Sequence, residues 1–362
     1  MRIALLSYST KPRGGVVHTL ALAEALAAEG EDVTVWTLGR HGDQSFFRPV
    51  DPAVSLCVVP FPDGPDGESV GERILRSINT LRDAFTPHAA EYEIVHAQDC
   101  ISANAAGRCV RTVHHLDRFT TPELAACHER AIIEPYAHIC VSAAVAAELE
   151  EGWGVKASVI PNGVAYARFA AAAVDQPGQE RWHDRLGRYV LTVGGIEPRK
   201  GSIDLVEAYA LLRTAHPGHR LVVAGGETLF DYRDYRARWD RRAEELGVEP
   251  IVLGAVPDGD LPSLVAAADA FAFPSVKEGF GLAAMEALAA GVPLVVRDLP
   301  VLREVFGRAA RFAGTPADFA TELDRALCVA DPDRRAAGQR LAASHTWAAA
   351  AHAHLDLYRS LA

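Results

Sequence analysis

Two glutamates lie close together in the stretch from Phe271 to Pro293, FAFPSVKEGFGLAAMEALAAGVP. Glu278 falls in a predicted loop, whereas Glu286 falls among Leu, Ala and Met residues, where a lone carboxylate needs a partner or a cleft to face. Each carboxylate can accept hydrogen bonds from a pair of hydroxyl groups. The two acids therefore suit a ligand that carries hydroxyls, whereas the ordinary alternative is a solvated loop residue at 278 and a surface residue on an Ala-rich helix at 286.

Glycines within the same stretch determine how closely such a ligand could approach. Gly279 and Gly281 have no side chain, so the backbone can lie directly against a ligand. An apolar strand from Ala270 to Phe273 leads into the loop, and a helix is predicted from Leu282 to Ala290, closing at Gly291. The N–H groups at the start of that helix can receive ligand oxygens, including those of a phosphate.

A cationic pair, Arg199 and Lys200, follows a second predicted strand from Tyr189 to Val193. Positive charge at such a turn could bind and stabilise an anionic group of a ligand, such as a phosphate. The alternative, a solvated turn, is the ordinary role of charged residues at this kind of position. The pair alone does not decide between the two.

The composition describes an ordinary globular protein. With 362 residues, 49% of them hydrophobic and 23% charged, the chain can bury a large core and is long enough for two domains. The formal net charge of −11 argues against a nucleic-acid footprint, which needs clustered Lys and Arg. No apolar run approaches the roughly 20 residues that span a bilayer, and the N-terminus is predicted to be a strand and not a signal peptide.

The cysteines and histidines do not show the spacing of metal ligands. Six cysteines are scattered without a CxxC pair, which favours buried thiols in a reducing, cytoplasmic compartment. The pairs His114/His115 and His352/His354 lack companions at ligand spacing. We therefore expect neither a metal nor another cofactor.

Strand and helix signals alternate along both halves, which predicts parallel sheets covered by helices on both faces. The pattern lapses between Ala170 and Gly187, so we predict a linker there.

The first turn contains only Gly14 and Gly15, without the three spaced glycines and the acid of a dinucleotide fingerprint, which disfavours a nicotinamide enzyme. That turn could contact a phosphate or an acceptor, or could simply need glycine for its shape. The loop from Phe61 to Gly71, dense in Pro, Gly and Asp, is another candidate for acceptor contact.

An ordered set of motifs resembles family 4 of the retaining glycosyltransferases of GT-B type. The set comprises HAQD at His96 to Asp99, TVHHLD at Thr112 to Asp117, VIPNGV at Val159 to Val164, VGGIEPRKG at Val193 to Gly201, AGG at Ala224 to Gly226, and PSxxEGFGL with the glutamates at 278 and 286. Any one of these motifs is weak evidence, whereas the ordered set spans nearly the whole chain.

The resemblance implies an α/β fold with two Rossmann-like doubly wound domains that face each other across a cleft. The expected acceptor-side domain covers residues 1–170, and the expected nucleotide-sugar domain covers residues 187–346. The C-terminal helix, 347–362, is expected to cross back onto the first domain, because its apolar residues recur at helical spacing.

On the cationic side, the resemblance makes Lys200 a ligand of the donor diphosphate. Many relatives carry an arginine where this chain has Gly195, which puts half of the usual clamp in doubt. We hypothesise that Arg199 supplies the missing guanidinium. The same departure motivates an alternative, in which the protein binds nucleotide sugars but has lost catalysis.

On the acidic side, the resemblance assigns the ribose diol to Glu286 and a hydroxyl of the donor sugar to Glu278. A general acid/base pair of the kind found in glycosidases is the rival interpretation of these two carboxylates. The remaining implied donor contacts come from backbone and small residues of both halves: Gly15, Gly195, Gly225, Val256, Gly279, Phe280, Gly281 and Leu282.

His114 resembles the histidine of the family's T-x-H motif, which implies a place beside the reacting carbon, although a histidine at a strand end is often structural. His115 and Asp117 are weaker candidates. Relatives commonly have an aspartate after NGV, where this chain has Ala165.

For retaining members a front-face displacement is usually proposed, in which the departing phosphate takes the acceptor's proton.

These observations predict a retaining, metal-independent hexosyltransferase that uses a nucleoside-diphosphate sugar and an unidentified acceptor. An isomerase or a phosphorylase on the same scaffold is the rival enzymatic function. No nucleic-acid partner is expected. Peripheral membrane attachment would need a basic amphipathic helix, and the predicted helix from Glu72 to Phe85 has only a few arginines among acids.

Overall fold

A computed structural model describes residues 1–40, 42, 44–117, 119, 121–225 and 232–361. Strands and helices alternate along the chain, as the sequence pattern predicts. The elements up to residue 159 are β1 Arg2–Leu6, α1 Gly14–Ala28, β2 Asp32–Arg40, β3 Ser55–Phe61, α2 Val70–Phe85, β4 Ile94–Ala97, α3 Cys100–Ala106, β5 Val110–Val113, α4 Pro122–Ile133, β6 Ala137–Cys140, α5 Ala143–Trp153 and β7 Ser158–Val159.

The remaining elements repeat the same alternation. They are α6 Tyr166–Ala172, α7 Gln176–Leu186, β8 Arg188–Val193, α8 Ser202–Leu212, β9 His219–Ala224, α9 Arg233–Glu245, β10 Ile251–Gly254, α10 Leu261–Ala266, β11 Ala270–Phe273, α11 Leu282–Ala289, β12 Leu294–Arg297, α12 Pro300–Phe306, β13 Arg311–Ala313, α13 Pro316–Cys328, α14 Pro332–Ser344 and α15 Trp347–Leu361. Short 3₁₀ turns occur at Thr86–Glu91, Pro198–Lys200 and Gly307–Ala309.

The chain divides into two compact units. The first contains Met1–Gly163 and Trp347–Ala362, and the second contains Val164–Thr346. The first unit has a seven-stranded sheet in the order β3-β2-β1-β4-β5-β6-β7, and the second has a six-stranded sheet in the order β10-β9-β8-β11-β12-β13. The strand pairs of both sheets are parallel. This architecture confirms the predicted doubly wound α/β class.

Burial explains why the central strands are apolar runs and not alternating ones. Residues 3–6 of β1 and all of β11 are buried, because a parallel sheet is covered by helices on both of its faces. Each unit has its own core: Leu5 and Leu22 belong to that of the first, and Val190 and Phe319 to that of the second. Each unit therefore buries its own set of apolar side chains.

The predicted linker between Ala170 and Gly187 is wrong as an irregular segment. Most of it is helical, in α6 and α7, and both helices belong to the second unit. The polar composition misled the prediction, because these helices bury only a few side chains. In α7 the buried ones include Trp182 and Leu186, and the Trp182 indole donates to the Ser263 hydroxyl at 3.0 Å.

Helix α15 packs against the first unit, as predicted. Ala351, Leu355 and Tyr358 are buried in the core that contains β1, β2 and α1 residues. A polar contact fixes the helix further: His96 Nδ1 lies 2.6 Å from the Tyr358 hydroxyl, and His96 Nε2 lies 2.7 Å from the Thr112 hydroxyl. Helix α15 is thus joined to β4 and β5 by a buried chain of hydrogen bonds.

Among the described residues, no helix combines the length and apolar character that crossing a bilayer requires.

Replacing Tyr358 with Phe should destabilise the protein by about 1–3 kcal/mol, because the buried His96 Nδ1 would lose its partner. Urea-induced unfolding measures the effect. Tyr136→Phe is the matched control, since Tyr136 is exposed and its phenol makes no hydrogen bond with the described residues. Equal stability of the two variants would contradict this account of how α15 is held.

Candidate donor site

The carboxyl ends of β8 and β11 form the switch point of the second sheet. The chain builds β9 and β10 on one side of β8 and then returns to place β11 on its other side. Loops that leave neighbouring strands in opposite directions open a crevice at this edge, where ligands of doubly wound sheets bind. The two loops here are Gly194–Gly201 and Pro274–Gly281.

Glu278 joins these two loops through ion pairs. Its Oε1 lies 2.6 Å from Lys200 Nζ and 3.1 Å from Arg199 Nη1. Arg199 Nη2 also lies 3.1 Å from Glu197 Oε1. The Glu278 side chain is only 10% exposed, so these contacts are partly shielded from water. The structure therefore brings together three residues that the sequence analysis selected from two separate motifs.

Backbone contacts hold the loops in place. Val276 N–H donates to Arg199 O at 2.8 Å. The buried Arg297, at the end of β12, donates from Nε and Nη2 to Pro274 O at 3.1 and 2.9 Å and from Nη1 to Gly314 O at 2.9 Å. The position of the ion pairs is thus fixed by groups outside the cluster, which limits the reorganisation needed when a ligand arrives.

Two glycines allow the close packing of these loops. Gly201 has φ +61°, and a Cβ there would lie 2.2 Å from Pro274 O. A Cβ on Gly225 would lie 2.1 Å from Gly194 O. Gly225 is therefore needed for packing as well as being a predicted donor contact, while Gly226 of the AGG motif lies outside the described residues.

A small pocket adjoins the cationic turn, and its lining includes Gly194, Gly195, Lys200, Phe273 and Ser275. Lys200 Nζ lies 5.3 Å from the centre of the Phe273 ring, which orients the ammonium group. The Ser275 hydroxyl is buried and has no partner among the described residues. Sequence analysis did not select Ser275, although it is the serine of the PSxxEGFGL motif.

The start of α11 presents backbone donors, as predicted. Gly281 has φ +95°, a left-handed conformation that suits glycine, and it precedes the first turn of the helix. In the described part of the chain, the N–H groups of Phe280, Gly281 and Leu282 donate to no acceptor. Gly279 lies in the same loop. This helix start can therefore receive the oxygens of a ligand.

Glu286 lies in the second turn of α11 and is half-buried. Burial raises the pKa of its carboxyl to about 8, and Asp258 adds to the rise, while Arg168 opposes it. Arg168 is itself paired with Asp258 at 2.9 Å. Val256, another predicted donor contact, is half-buried two residues before Asp258. Glu286 makes no ion pair with a described residue, unlike Glu278.

In the first unit, Gly15 and His114 are neighbours: a Cβ on Gly15 would lie 3.7 Å from the His114 ring. His114 Nε2 is buried and has no partner among the described residues. Burial lowers the pKa of His114 to about 3, so its imidazole is neutral at physiological pH. His115 Nε2 lies 3.2 Å from Asp117 Oδ2, so these weaker candidates face each other.

The described residues contain one group that could hold a metal ion. His216 Nε2 and Asp324 Oδ1 lie 2.8 Å apart, and Cys328 Sγ lies 3.8 and 3.7 Å from them. The group lies near the start of β9 and the end of α13, on the edge of the sheet opposite to the loops of Lys200 and Glu278. Sequence analysis missed it because more than 100 residues separate the histidine from the aspartate.

Family models match both halves of the chain. The model described as Glycosyltransferase Family 4 matches residues 12–168, and the model described as Glycosyl transferases group 1 matches residues 180–336. This chain belongs to glycosyltransferase family 4. It is a glycosyltransferase of GT-B fold, and the resemblance seen in its motifs is confirmed.

Individual relatives are distant but span nearly all of the glycosyltransferase. Glycogen synthase of Mycobacterium tuberculosis is 28% identical, with 99% of this chain and 94% of that protein covered. Sucrose-phosphate synthase from Thermosynechococcus elongatus has a TM-score of 0.79 at 21% identity, covering 99% and 98% of the two chains. Anabaena HepE in complex with UDP-glucose has a TM-score of 0.77 at 19% identity, covering 99% and 100%. The two solved structures share the fold of this enzyme.

The raised pKa of Glu286 predicts how the stability of the glycosyltransferase depends on pH. Between the ordinary value of 4.5 and about 8, the folded protein keeps a proton on Glu286 that the unfolded chain has released. The free energy of unfolding therefore loses a contribution as the pH rises through this range. Glu286→Gln removes that loss, so at pH 8 the variant should be more stable by about 1–2 kcal/mol, since one pKa unit is worth about 1.4 kcal/mol and the side chain keeps some contact with water.

Urea-induced unfolding at both ends of this pH range measures the difference, which should vanish near the ordinary pKa. Glu180→Gln, at an exposed position of the same unit, is the control and should show no such trend. A Glu286→Gln protein that is less stable than the parent at the upper pH would be evidence against a buried, protonated carboxyl.

Proposed function

We propose that this family 4 glycosyltransferase moves a hexose from a nucleoside-diphosphate sugar to an acceptor, with retention of anomeric configuration and without a metal ion at the donor site. The observation that carries the proposal is the cluster of Arg199, Lys200 and Glu278 at the switch point of the second sheet. It combines cations for a diphosphate with a carboxylate for sugar hydroxyls.

The cations act on the leaving group. As the glycosidic bond breaks, negative charge grows on the departing diphosphate, and fixed cations stabilise it more in the transition state than in the ground state. Lys200 and Arg199 at present share Glu278 as an ion-pair partner. When the donor binds, its diphosphate replaces Glu278 as the ion-pair partner of these cations. Glu278 then accepts a hydrogen bond from a donor-sugar hydroxyl.

Uncharged hydrogen-bond donors also bind the leaving group. The N–H groups of Phe280, Gly281 and Leu282 donate to oxygens of the donor, because they have no acceptor of their own among the described residues. The Ser275 hydroxyl, buried and unpartnered in the pocket beside Lys200, is a further donor to a phosphate oxygen. Metal-free stabilisation of a diphosphate needs such a set of donors.

Glu286 holds the nucleotide through the two ribose hydroxyls. These hydroxyls can donate to its carboxyl oxygens, which have no ion-pair partner among the described residues. His114 in the first unit contributes as a neutral imidazole, because burial holds its pKa far below physiological pH. Its unpartnered Nε2 offers a hydrogen bond to substrate, and the departing phosphate accepts the acceptor's proton.

Solved relatives with the same fold support the choice of donor class. Anabaena HepE is known in complex with UDP-glucose, and the Escherichia coli structure described as Trehalose-6-phosphate binds UDP-2-fluoro glucose. Both cover 99% of this chain. We therefore take a uridine-diphosphate hexose as the first donor to test.

The test measures release of nucleoside diphosphate from UDP-glucose, GDP-mannose and ADP-glucose, each with a panel of monosaccharides and sugar phosphates. We expect release that depends on an acceptor, an α-linked product by proton NMR, and no change on adding EDTA. Tight donor binding without turnover on any acceptor would favour an inactive binding protein. A β-linked product, an isomerised donor or a requirement for inorganic phosphate would each contradict the proposal.

Arg199→Ala should lower kcat by about 10²-fold, the usual cost of losing one group that stabilises developing charge. The physical reason is that Arg199 supplies the guanidinium that Gly195 cannot. Steady-state release of nucleoside diphosphate is the measurement. Arg188→Ala, at the exposed opposite end of β8, is the control and should leave kcat unchanged. Full turnover by Arg199→Ala would remove the compensation hypothesis while leaving Lys200 as a candidate.

A further inference from the structure

The first sheet has a switch point of its own, between β1 and β4. The chain adds β2 and β3 on one side of β1 and places β4 on the other. At this carboxyl edge, Tyr8 follows β1, and Gln98 and Asp99 follow β4. The two loops are joined by a hydrogen bond from Tyr8 N–H to Asp99 Oδ2 at 3.1 Å. By the same geometric rule as in the second unit, a ligand is expected here.

Two arginines that lack carboxylate partners lie at this edge. Arg13 precedes α1, and its guanidinium carbon lies 5.8 Å from the centre of the Tyr8 ring. Arg40 ends β2, and its guanidinium carbon lies 4.7 Å from the centre of the Phe61 ring. Both lie within electrostatic range of the Tyr8 hydroxyl. Neither makes an ion pair with any residue in the described ranges.

Further positive charge surrounds Arg40. Arg76 on α2 lies over the same Phe61 ring, at 4.1 Å, and it pairs through two nitrogens with Glu68 at 2.6 and 3.0 Å. Burial, assisted by repulsion from Arg73, Arg13 and Arg76, lowers the pKa of Arg40 to about 10. Glu68 and Asp63 offset part of the positive charge near Arg76, and Asp99 lies within electrostatic range of Arg111 on β5. The cluster therefore keeps an excess of positive charge.

Several buried polar atoms at this edge have no partner among the described residues. They include Nε of Arg13, Nε of Arg40, and both the oxygen and the nitrogen of the Gln98 side chain. Gln98 is only 1% exposed, so water does not compensate it from the surface. Each buried, unsatisfied group destabilises the folded protein, because it has lost its hydrogen bonds to water. A bound oxyanion would satisfy the arginine groups, since guanidinium groups bind phosphate oxygens in pairs.

We propose that Arg13, Arg40 and Gln98 form a binding site for the phosphate monoester group of the sugar acceptor. The proposal rests on the proposed function, because only sugar transfer makes a ligand of this unit an acceptor. The donor diphosphate has its own cations, Arg199 and Lys200, in the second unit. The phosphate oxygens accept hydrogen bonds from the two guanidinium groups. The Gln98 carboxamide and the Tyr8 hydroxyl bind the neighbouring polar atoms of the acceptor.

The local structure explains how the arginines are kept in place. Phe61 ends β3 and is buried, and its ring lies against the guanidinium groups of Arg40 and Arg76. Arg40 Nη2 also donates to the Ser77 hydroxyl on α2 at 3.0 Å. One face of the site is therefore built by the end of β3 and by α2, and Phe61 is also the first residue of the segment that sequence analysis selected for acceptor contact.

The experiment titrates the full chain, saturated with UDP, with D-glucose 6-phosphate, D-glucose, D-glucuronate and inorganic phosphate in an isothermal calorimeter. We expect binding of glucose 6-phosphate and of inorganic phosphate, and none of glucose. Arg40→Gln and Arg13→Gln should each weaken phosphate binding by about tenfold or more, as for loss of a charge-assisted pair. Arg82→Gln is the matched control, because Arg82 lies on the same helix as Arg76 but donates to Asn79 and Asn104.

The thermal shift that UDP-glucose produces in each variant shows whether it is folded and binds donor. Unchanged phosphate binding in both arginine variants, or no binding of either phosphate compound to the parent, would overturn the inference. Tighter binding of glucuronate than of glucose 6-phosphate would overturn the choice of phosphate. A parent that binds phosphate but shows no sugar transfer would keep the anion site and refute the proposed function, so the two failures can be told apart.

Discussion

The contact between Glu278 and the Arg199–Lys200 turn is the interaction on which the donor site depends. A single carboxylate oxygen joins two loops that leave neighbouring parallel strands, at 2.6 Å from Lys200 Nζ. This carboxylate keeps two cations close together that would otherwise repel each other in a partly shielded place. In the proposed function, this arrangement of charges is the one that binds a nucleoside-diphosphate sugar.

Buried polar groups lower the stability of the glycosyltransferase near the switch points of both sheets. Glu286 is kept protonated by burial, and His114 Nε2, the Ser275 hydroxyl and the Gln98 amide are buried without partners in the described part of the chain. Groups of this kind are rare in a protein interior, because each loses its hydrogen bonds to water. They lie at or next to the carboxyl edges of the two sheets, where substrates of doubly wound folds bind. Local departures from the rules of stable folding are expected at functional sites.

Much of the fold could be predicted from local pattern. The strands predicted from Tyr189 to Val193 and from Ala270 to Phe273 coincide with β8 and β11, since apolar runs bounded by glycine, proline and polar residues can be recognised without knowledge of distant contacts. The three-residue strand β13 was not predicted, because Arg311–Ala313 is too short to show a period. The segment 170–187 was misjudged for a related reason: α6 and α7 carry polar surfaces, and only their packing within the second unit reveals their apolar sides.

The class of fold, the family and the chemical types at the proposed donor site could all be predicted from local sequence, because motifs such as PSVKEGFGL and EPRKG keep acids, cations and glycines at short spacings. Which of these residues meet depends on the tertiary fold. The pairing of Glu278 with Lys200, the approach of Arg13 to Arg40, and the group of His216, Asp324 and Cys328 all join residues that are far apart in the chain. Such proximity depends on strand order, and the burial that alters a pKa depends on the whole surrounding fold, so neither can be read from local spacing.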